Sequence, residues 1–489
     1  MHRVAWEYHS TPTQGGEMAS ERAQSFPVQV RELVEGFASR SPSRFALLVF
    51  ASLIAVFTFL LAQPFSSADG TTTNFADALF SAVSTICVSG LTVVDMATYW
   101  SPLGNAIVFT GTQVGALGVL TLASILGAII SGRLGLRARL MAASDTNPLR
   151  LHSGPVSEGQ AIRLGEVGGL LATVALSLVI IESVIAALML PSVLAAGYPL
   201  GESIWFSFYY SAMSFTNTGF TPNVGGLEMF AGDYWFLTLI MVGVLLGSVG
   251  FPVIYALSRN LKNPRKWSLH VKITLVTWAI LWVGGVIAYL LLEPENSLVF
   301  AGMGPGELTY QAAFLSTMAR SGGFNLVDIS QLDSSTLLMT DMLMFIGGGS
   351  ASTAGGIKVT TFAVLILAAL SEARGRSSIE AFGRTIPQDV LRLAVSVGLW
   401  GATTVAVGAL LVSEFTDAAF EYVLFDVISA FATVGMSTGL TATLPDEGLY
   451  VMSIVMFMGR VGTVTLAAAL AASQVGQFFR RPEERPIVG

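Results

Sequence analysis

Four short strips of the sequence combine hydroxyl-bearing residues with glycine, and each lies between long apolar runs. An ion that leaves water needs replacement oxygens, which pores provide from carbonyl and hydroxyl groups of extended backbone strips. Glycine permits the backbone angles that turn successive carbonyls toward the ion. Because the strips contain no acidic side chain, they predict coordination of a monovalent cation. The candidate filter residues are Cys87, Val88, Ser89 and Gly90; Thr216, Asn217, Thr218 and Gly219; Arg320, Ser321, Gly322 and Gly323; and Met436, Ser437, Thr438 and Gly439.

Each strip follows an apolar run that is too short to cross a bilayer as a helix. The run 203–215 has about 13 residues, whereas a spanning helix needs about 20. The sequence therefore predicts four re-entrant loops, each with a half-helix whose negative dipole end points at the strip. A single loop is weak evidence, because glycine and serine also help membrane helices to pack closely. Four loops whose glycines recur about every 100 to 130 residues indicate an internal repeat.

A fifth polar stretch, 347–358, follows the third strip and predicts a break in a helix. Its glycine content disfavours a helical turn, and non-helical backbone at membrane depth is tolerated only beside protein or a water-filled cavity. We expect it to form a flexible gate beneath the filter. A nucleotide P-loop is disfavoured because Ile357 separates Gly356 from Lys358 and apolar helices flank the stretch. The candidate gate residues are Gly347, Gly348, Gly349, Ser350, Ser352, Thr353, Gly355, Gly356, Lys358 and Arg460.

Three basic residues and one acidic residue fall at membrane depth, where a charge is costly and usually functional. Arg460 is expected to donate hydrogen bonds to carbonyls of the 347–358 stretch and so act as a latch. Arg320 and Lys358 have two interpretations, as functional charges or as groups that lock the fold by pairing with carboxylates or carbonyls. Glu182 either pairs with a basic group or faces a crevice.

Composition places the whole chain in a membrane. Of 489 residues, 53% are hydrophobic and only 12% are charged, whereas soluble domains carry about 25% charge. A single cysteine and four scattered histidines provide no disulfide and no metal-ligand spacing. We see no signal peptide in the polar first 40 residues and no catalytic constellation, so an enzyme is not expected.

The order of apolar runs and strips predicts an all-α polytopic membrane protein of four helix–pore-loop–helix repeats. These repeats would surround one central pore with fourfold pseudosymmetry. Eight spanning helices are expected at about 44–61, 102–130, 165–190, 234–257, 269–292, 336–372, 387–412 and 449–475. The domain prediction is a tail at 1–43, repeats at 44–132, 165–258, 269–374 (with the broken helix) and 387–476, and a C-terminal segment at 477–489.

The charge distribution predicts the orientation. Basic residues cluster between the second and third, fourth and fifth, and sixth and seventh spans and at the C-terminus, which places these loops and both termini in the cytoplasm. The opposite loops are acidic and contain no basic residue. We therefore expect the filter to lie behind an outer acidic vestibule that concentrates cations.

The four strips, the Gly347–Lys358 stretch and the Gly459-Arg460 pair resemble the membrane subunit of the Trk/Ktr/HKT superfamily of K⁺ transporters. The resemblance covers about 44–475 and is strongest to the KtrB-type members, which have eight spans. It implies K⁺ uptake across the cell membrane, a gating role for the interrupted stretch and a latch role for Arg460. Cys87 in the first strip and Gly322-Gly323 in the third depart from the usual pattern.

The resemblance also implies partners. It implies a homodimer in membrane lipid, resting on a cytoplasmic ring of nucleotide-binding RCK subunits (KtrA-like). It implies K⁺ as the transported ion, bound in the filter only, with Na⁺ as an activator and no organic cofactor in this chain. Two alternatives stay open. One is a secondary transporter coupled to Na⁺ or H⁺, a class that also has repeats and broken helices, and the other is a Na⁺-permeable HKT-like channel.

Overall fold

The structure is a computed structural model that describes residues 42–133, 164–293, 299–300 and 302–462. The predicted cytoplasmic tails, most of the basic loop between the second and third spans, and the second half of the last predicted span lie outside the described residues. The described helices are α1 Pro42–Leu61, α2 Phe75–Ile86, α3 Pro102–Arg133, α4 Leu164–Ala195, α5 Leu200–Phe215, α6 Tyr234–Val249, α7 Phe251–Asn260, α8 Leu269–Leu292, α9 Pro305–Met318, α10 Ser334–Phe345, α11 Val359–Ala373, α12 Gln388–Ser413, α13 Phe420–Ala432 and α14 Asp446–Phe457.

Several of these helices are long and apolar enough to cross a membrane. Within the described residues they are Val174–Ala195 of α4, Leu269–Leu292 and Gln388–Ser413. The bent pair α6 and α7, taken together, is a further candidate span. Their outward faces expose large apolar side chains, such as Leu176, Ile280 and Leu399. The chain is therefore a multi-pass membrane protein, as its composition predicts.

The fourth predicted span is not one continuous helix. The sequence predicts a helix over 234–257, but α6 and α7 meet at an angle of 101°. The bend falls at Gly250, whose φ is 90°, a conformation that glycine adopts without steric cost. Pro252 follows at the start of α7, and the Phe251 amide donates to the carbonyl of Ala351 (3.3 Å) instead of continuing the helix.

The sixth predicted span is interrupted, and its two parts are α10 and α11. Between them, residues 346–358, hereafter the interrupted segment, form no helix. The two ends of this segment meet in a parallel bridge between Ile346 and Ile357. The Gly347 amide donates to the Ile357 carbonyl (2.8 Å), and the Ile357 amide donates to the Phe345 carbonyl (3.2 Å). The segment is thus a loop with a closed base.

The described chain also contains one small hairpin, which the all-α prediction missed. Strands β1 Ile379–Ala381 and β2 Arg384–Ile386 pair antiparallel between α11 and α12. The turn residues Phe382 and Gly383 both have positive φ, the geometry of a two-residue hairpin turn. Ile379, Ala381 and Ile386 are buried against α8, α11 and α12, and this packing stabilises so short a hairpin.

Four short helices, α2, α5, α9 and α13, lie among the long ones and determine how the site is built. Their C-terminal halves are almost entirely buried. Three of them also pack against a helix of the preceding repeat: α5 against α3, α9 against α6 and α13 against α10. The first, α2, packs against α14, the last described helix. The contacts therefore close on themselves, and all four short helices end in the same region.

Candidate functional site

Each short helix ends in a turn that contains a left-handed residue followed two positions later by glycine. The left-handed residues are Val88, Asn217, Ser321 and Thr433, with φ between 48° and 71°. The glycines are Gly90, Gly219, Gly323 and Gly435, with φ between 75° and 92°. Positive φ is uncommon for residues other than glycine and is strained for β-branched ones. Such strain persists only where the surrounding structure imposes it, and it concentrates at functional sites.

Hydrogen bonds fix the shape of these turns. In the first turn the Val88 amide donates to the Thr85 carbonyl (3.2 Å) and the Ser89 amide to the Ser84 carbonyl (2.7 Å). The second and fourth turns repeat both bonds, in a pattern that commonly ends helices with a left-handed residue. The third turn differs, because there the Gly322 amide donates to the Met318 carbonyl (2.8 Å). The carbonyl groups of the turn residues beyond each helix end therefore remain available for contacts outside the helix.

The four glycines meet closely enough that none has room for a side chain. A methyl group on Gly435 would lie 2.7 Å from the Ser89 carbonyl oxygen and 3.1 Å from the Cα of Gly323. A methyl group on Gly323 would lie 2.7 Å from the carbonyl oxygens of both Thr218 and Val434. One on Gly219 would lie 2.9 Å from the Gly322 carbonyl oxygen. The residues directly before the four glycines thus place their carbonyl oxygens around one small space, hereafter the carbonyl ring.

The fourth strip predicted from sequence, 436–439, lies just after the residues that meet the other three glycines. Gly435 joins the other glycines, whereas a methyl group on Gly439 would meet no heavy atom within 4 Å. Ser437 Oγ instead donates to Asp426 (2.7 Å), and the Thr438 amide donates to the same carboxylate (2.9 Å). Met436 is buried in the apolar core. The ring segment of the fourth loop is therefore Thr433-Val434-Gly435.

The sequence interpretation did not single out Asp426, which lies close to the fourth loop. It is fully buried in α13, and its carboxylate accepts hydrogen bonds from the backbone amides and hydroxyls of Thr438 and Thr441 as well as from Ser437. These bonds hold the outer part of the fourth loop against its own helix. An acidic residue in the middle of a short helix, between apolar neighbours, was the available signal.

Arg320, predicted in the third filter strip, contacts the interrupted segment. Its side chain is fully buried, and Nη2 donates to the carbonyl oxygen of Gly347 in that segment (2.7 Å). A filter role for Arg320 stays a prediction. Cys87, at the end of α2, is buried in the apolar core.

Side chains of the left-handed residues join one turn to the next. Asn217 Nδ2 donates to the Ser321 carbonyl (2.7 Å), and Ser321 Oγ donates to the Thr433 carbonyl (2.9 Å). The second, third and fourth turns are therefore braced in series. A bracing role for Asn217 could be predicted from its side-chain amide. The part of Thr433, which accepts a bond from Ser321, depends on where α13 ends and could not be predicted from the sequence.

The interrupted segment lies directly against these turns. Thr353 Oγ1 donates to Asn217 Oδ1 (2.6 Å), and the Gly355 amide donates to Ser321 Oγ (3.4 Å). Arg460, in a π-helical turn after α14, donates through Nη1 to the Thr353 carbonyl. This contact joins the last described helix to the interrupted segment.

The remaining candidate gate residues hold the segment together. Lys358 Nζ donates to the Ala354 carbonyl, and Ser352 Oγ donates to the Gly349 carbonyl (2.6 Å). Ser350 Oγ pairs with Thr360 Oγ1 (2.9 Å), and Gly348 accepts from the Val359 amide (3.0 Å). Gly355 and Gly356 pack so closely on Ala432 at the end of α13 that side chains there would meet it.

Two acidic residues outside the ring have defined surroundings. Glu182 is buried and accepts from the side-chain amide of Gln113 (3.1 and 3.3 Å), so its partner is an amide group. Asp69, in the loop after α1, accepts hydrogen bonds from the hydroxyls of Ser67 and Thr71 and from the Thr71 amide, which lower its pKa to about 2. Within the described residues, no group of three or more His, Cys, Asp or Glu side chains could hold a metal ion.

Comparison with known proteins gives the class to which this fold and site belong. The family model described as TrkH, cation transport protein, matches residues 38–479. The chain therefore belongs to this family of membrane cation transport proteins. The match covers the four turns, the interrupted segment and Arg460.

Individual relatives are similar over nearly their whole length. The chain is 33% identical to the Ktr system potassium uptake protein D of Bacillus subtilis over 92% of this chain and 97% of that protein. It is 32% identical to the Ktr system potassium uptake protein B of Vibrio alginolyticus over 91% and 94%. It is 30% identical to the potassium/sodium uptake protein NtpJ of Enterococcus hirae over 88% and 93%.

A solved structure has the same fold. The crystal structure of the potassium transporter TrkH from Vibrio parahaemolyticus matches with a TM-score of 0.66 over 87% of this chain and 84% of that chain. Sequence identity between the two is 18%, so this likeness concerns the fold alone.

Proposed function

We propose that this chain takes up K⁺ across the cell membrane through a channel-like pore whose filter is the carbonyl ring. The observation that carries the proposal is the meeting of Ser89, Thr218, Gly322 and Val434 carbonyl oxygens between four glycines from four separate loops. Carbonyl dipoles that converge in this way repel one another unless a cation lies among them. The relatives named for potassium uptake supply the identity of the ion.

Three further features support a cation at the ring. The short helices all end there, and helix C-termini carry partial negative charge. The hydroxyls of Thr85, Ser89 and Thr433 are buried without a partner among the described residues, whereas buried polar groups are normally paired. The strain of left-handed Val88 and Thr433 is accounted for if it keeps the carbonyls turned toward an ion. A ring without carboxylates favours a monovalent cation.

The closed pattern of contacts among short and long helices supports four repeats in fourfold pseudosymmetry around this pore. We retain the proposed repeat boundaries 44–132, 165–258, 269–374 and 387–476, with tails at 1–43 and 477–489. Within each repeat one short helix and one turn supply a quarter of the ring. The fourth quarter is Thr433–Gly435.

The interrupted segment is proposed as the gate. It lies against the second, third and fourth turns and is fastened by Arg460 at Thr353. Withdrawal of this loop requires the loss of a few hydrogen bonds, among them those to Arg460 and to the third turn. Acidic residues such as Asp69, which the lowered pKa keeps ionised, would form the outer vestibule that concentrates cations.

Partners follow from the names of the relatives. A Ktr system protein is one component of a system, and we propose that this chain works as a homodimer on a cytoplasmic ring of nucleotide-binding regulatory subunits. Basic loops and both termini would face this ring. Na⁺ is proposed as an activator of K⁺ uptake and not as the main permeant ion.

The test is rescue of growth at low K⁺ in a cell that lacks its own K⁺ uptake, with and without Na⁺, followed by K⁺ and Na⁺ flux in proteoliposomes. K⁺ flux that follows the K⁺ gradient supports the proposal. A fixed ratio of Na⁺ or H⁺ to K⁺ across a series of membrane potentials would identify a coupled transporter. Equal K⁺ and Na⁺ permeation would identify a Na⁺-permeable channel.

A further inference from the structure

Arg320 connects the third filter turn to the start of the interrupted segment. It lies directly before the left-handed residue Ser321, and its fully buried side chain reaches the carbonyl oxygen of Gly347 at 2.7 Å. A bond between a charged donor and a carbonyl is roughly twice as strong as one between neutral groups. One end of the segment is therefore fastened to a residue of the filter turn itself.

The same turn also contacts the other limb of the segment. Ser321 Oγ accepts from the Gly355 amide (3.4 Å) while donating to the Thr433 carbonyl (2.9 Å). Neighbouring residues of one turn thus contact the segment near both of its ends. Arg460, in contrast, contacts the segment at Thr353 and belongs to a helix that follows the fourth loop.

The charge of Arg320 has no carboxylate partner within the described residues. Its Nε and Nη1 atoms have no hydrogen-bond partner there, and the guanidinium lies 5.7 Å from the ring of Trp278, in reach of a cation–π interaction. Trp278 Nε1 donates to Ser248 Oγ (3.1 Å), and the Ser248 carbonyl accepts from the Gly349 amide (2.7 Å). The positive charge is held by a carbonyl and an aromatic ring, which release it more readily than a buried ion pair would.

We propose that Arg320 is a positioning residue that couples the filter to the gate. This inference rests on the proposed K⁺ pore. Because Arg320 holds Gly347, the segment cannot withdraw without either breaking this bond or pulling on the third turn, whose Gly322 carbonyl belongs to the ring. A change of cation occupancy in the ring therefore alters how firmly the segment is held, and opening of the segment alters the ring.

The experiment compares Arg320→Gln, Arg320→Lys and the matched control Arg460→Gln in proteoliposomes. Basal K⁺ flux, the permeability ratio of K⁺ to Na⁺ and the dependence of basal flux on external K⁺ are measured for each. Both glutamine variants are expected to raise basal flux about 5-fold or more, because about 5-fold corresponds to the lower end of the coupling free energies found in proteins. Of the two glutamine variants, only R320Q should also shift the permeability ratio and lose the dependence of basal flux on external K⁺. R320K should give values between those of the wild type and R320Q, because an ammonium group keeps the charge but has fewer donors.

Two outcomes overturn the inference. In the first, R320Q behaves like R460Q, with unchanged selectivity and retained dependence on external K⁺. In the second, R320Q changes selectivity while basal flux stays at the wild-type level, which would make Arg320 a brace of the filter alone. If R320Q does not fold, the same measurements are made on R320K and on Trp278→Leu, which removes the aromatic face beside the guanidinium. Wild-type flux and selectivity in both of these variants would overturn the coupling. Absence of K⁺ flux in the wild type would instead refute the proposed function.

Discussion

Alanine substitutions at Gly435 and Gly439, made one at a time, test which of the two glycines belongs to the filter. Gly435 and Gly439 have φ of 92° and 90°, so alanine is similarly strained at both, at a cost of about 1–2 kcal/mol. Their environments differ completely. A methyl group on Gly435 would lie 2.7 Å from the Ser89 carbonyl oxygen, whereas one on Gly439 meets nothing within 4 Å.

The structure gives the size of the expected effect. At Gly435 the Ser89 carbonyl or the Gly323 backbone has to move, and the displaced oxygen leaves the carbonyl ring. Loss of one oxygen contact to a charged group is worth about 1.5–3 kcal/mol, which is about 10- to 100-fold in binding. We therefore expect Gly435→Ala to lower the K⁺ to Na⁺ permeability ratio by about tenfold or more and Gly439→Ala to leave it unchanged.

Reversal potentials in proteoliposomes with opposed K⁺ and Na⁺ gradients measure this ratio directly. Thermal unfolding of the two purified variants should show a loss in both, because the backbone strain is shared, and a larger loss in G435A, where neighbouring backbone also has to move. Equal permeability ratios in the two variants would contradict the reasoning, and so would a loss of selectivity in G439A alone. The latter result would return the filter to residues 436–439.

Three further predictions concern the latch, the fourth loop and the outer acidic loop. Arg460→Gln removes the bond to the Thr353 carbonyl and should raise basal K⁺ flux about tenfold, the equivalent of roughly 1.4 kcal/mol; unchanged flux would exclude the latch. Asp426→Asn replaces one of the two accepting oxygens by an NH2 group, which leaves the donors on that side without an acceptor. It should reduce the free energy of unfolding by about 3 kcal/mol, seen as a lower melting temperature, and a wild-type melting curve would contradict the role of the carboxylate. The pKa of Asp69 is lowered to about 2, so its ionised form contributes stability above its unfolded-state pKa that is lost as pH falls through the folded one. The difference in melting temperature between Asp69→Asn and wild type should therefore shrink as pH falls from about 4 through about 2, and a difference that stays as large there as at neutral pH would contradict the assignment.

Sequence patterns were sufficient where composition alone decides local structure. The short apolar runs indicate half-helices because their length excludes a span, and the run 203–215 ends at the same residue as α5. The glycines of 347–356 exclude a regular helix, and the structure has none between Phe345 and Val359.

Sequence patterns failed where tertiary contacts decide between equal local choices. Gly435 and Gly439 lie four residues apart with similar positive φ, and the choice between them depends on where α13 ends. The bend at Gly250 depends on the bond between Phe251 and Ala351 of a distant segment. The bond from Arg320 to Gly347 joins residues 27 positions apart, and no period in the sequence reveals such a contact.

The contact between α2 and α14 has a consequence for biogenesis. Residues 75–86 and 446–457 lie at opposite ends of the described chain, and their association is supported by the bond from Asn74 Nδ2 to Asp446 Oδ1 (3.1 Å). Because membrane segments are inserted as they are synthesised, the first loop first packs on its neighbours α1 and α3 and makes its contact with α14 only when that helix has left the ribosome. The four turns can therefore come together only late in synthesis.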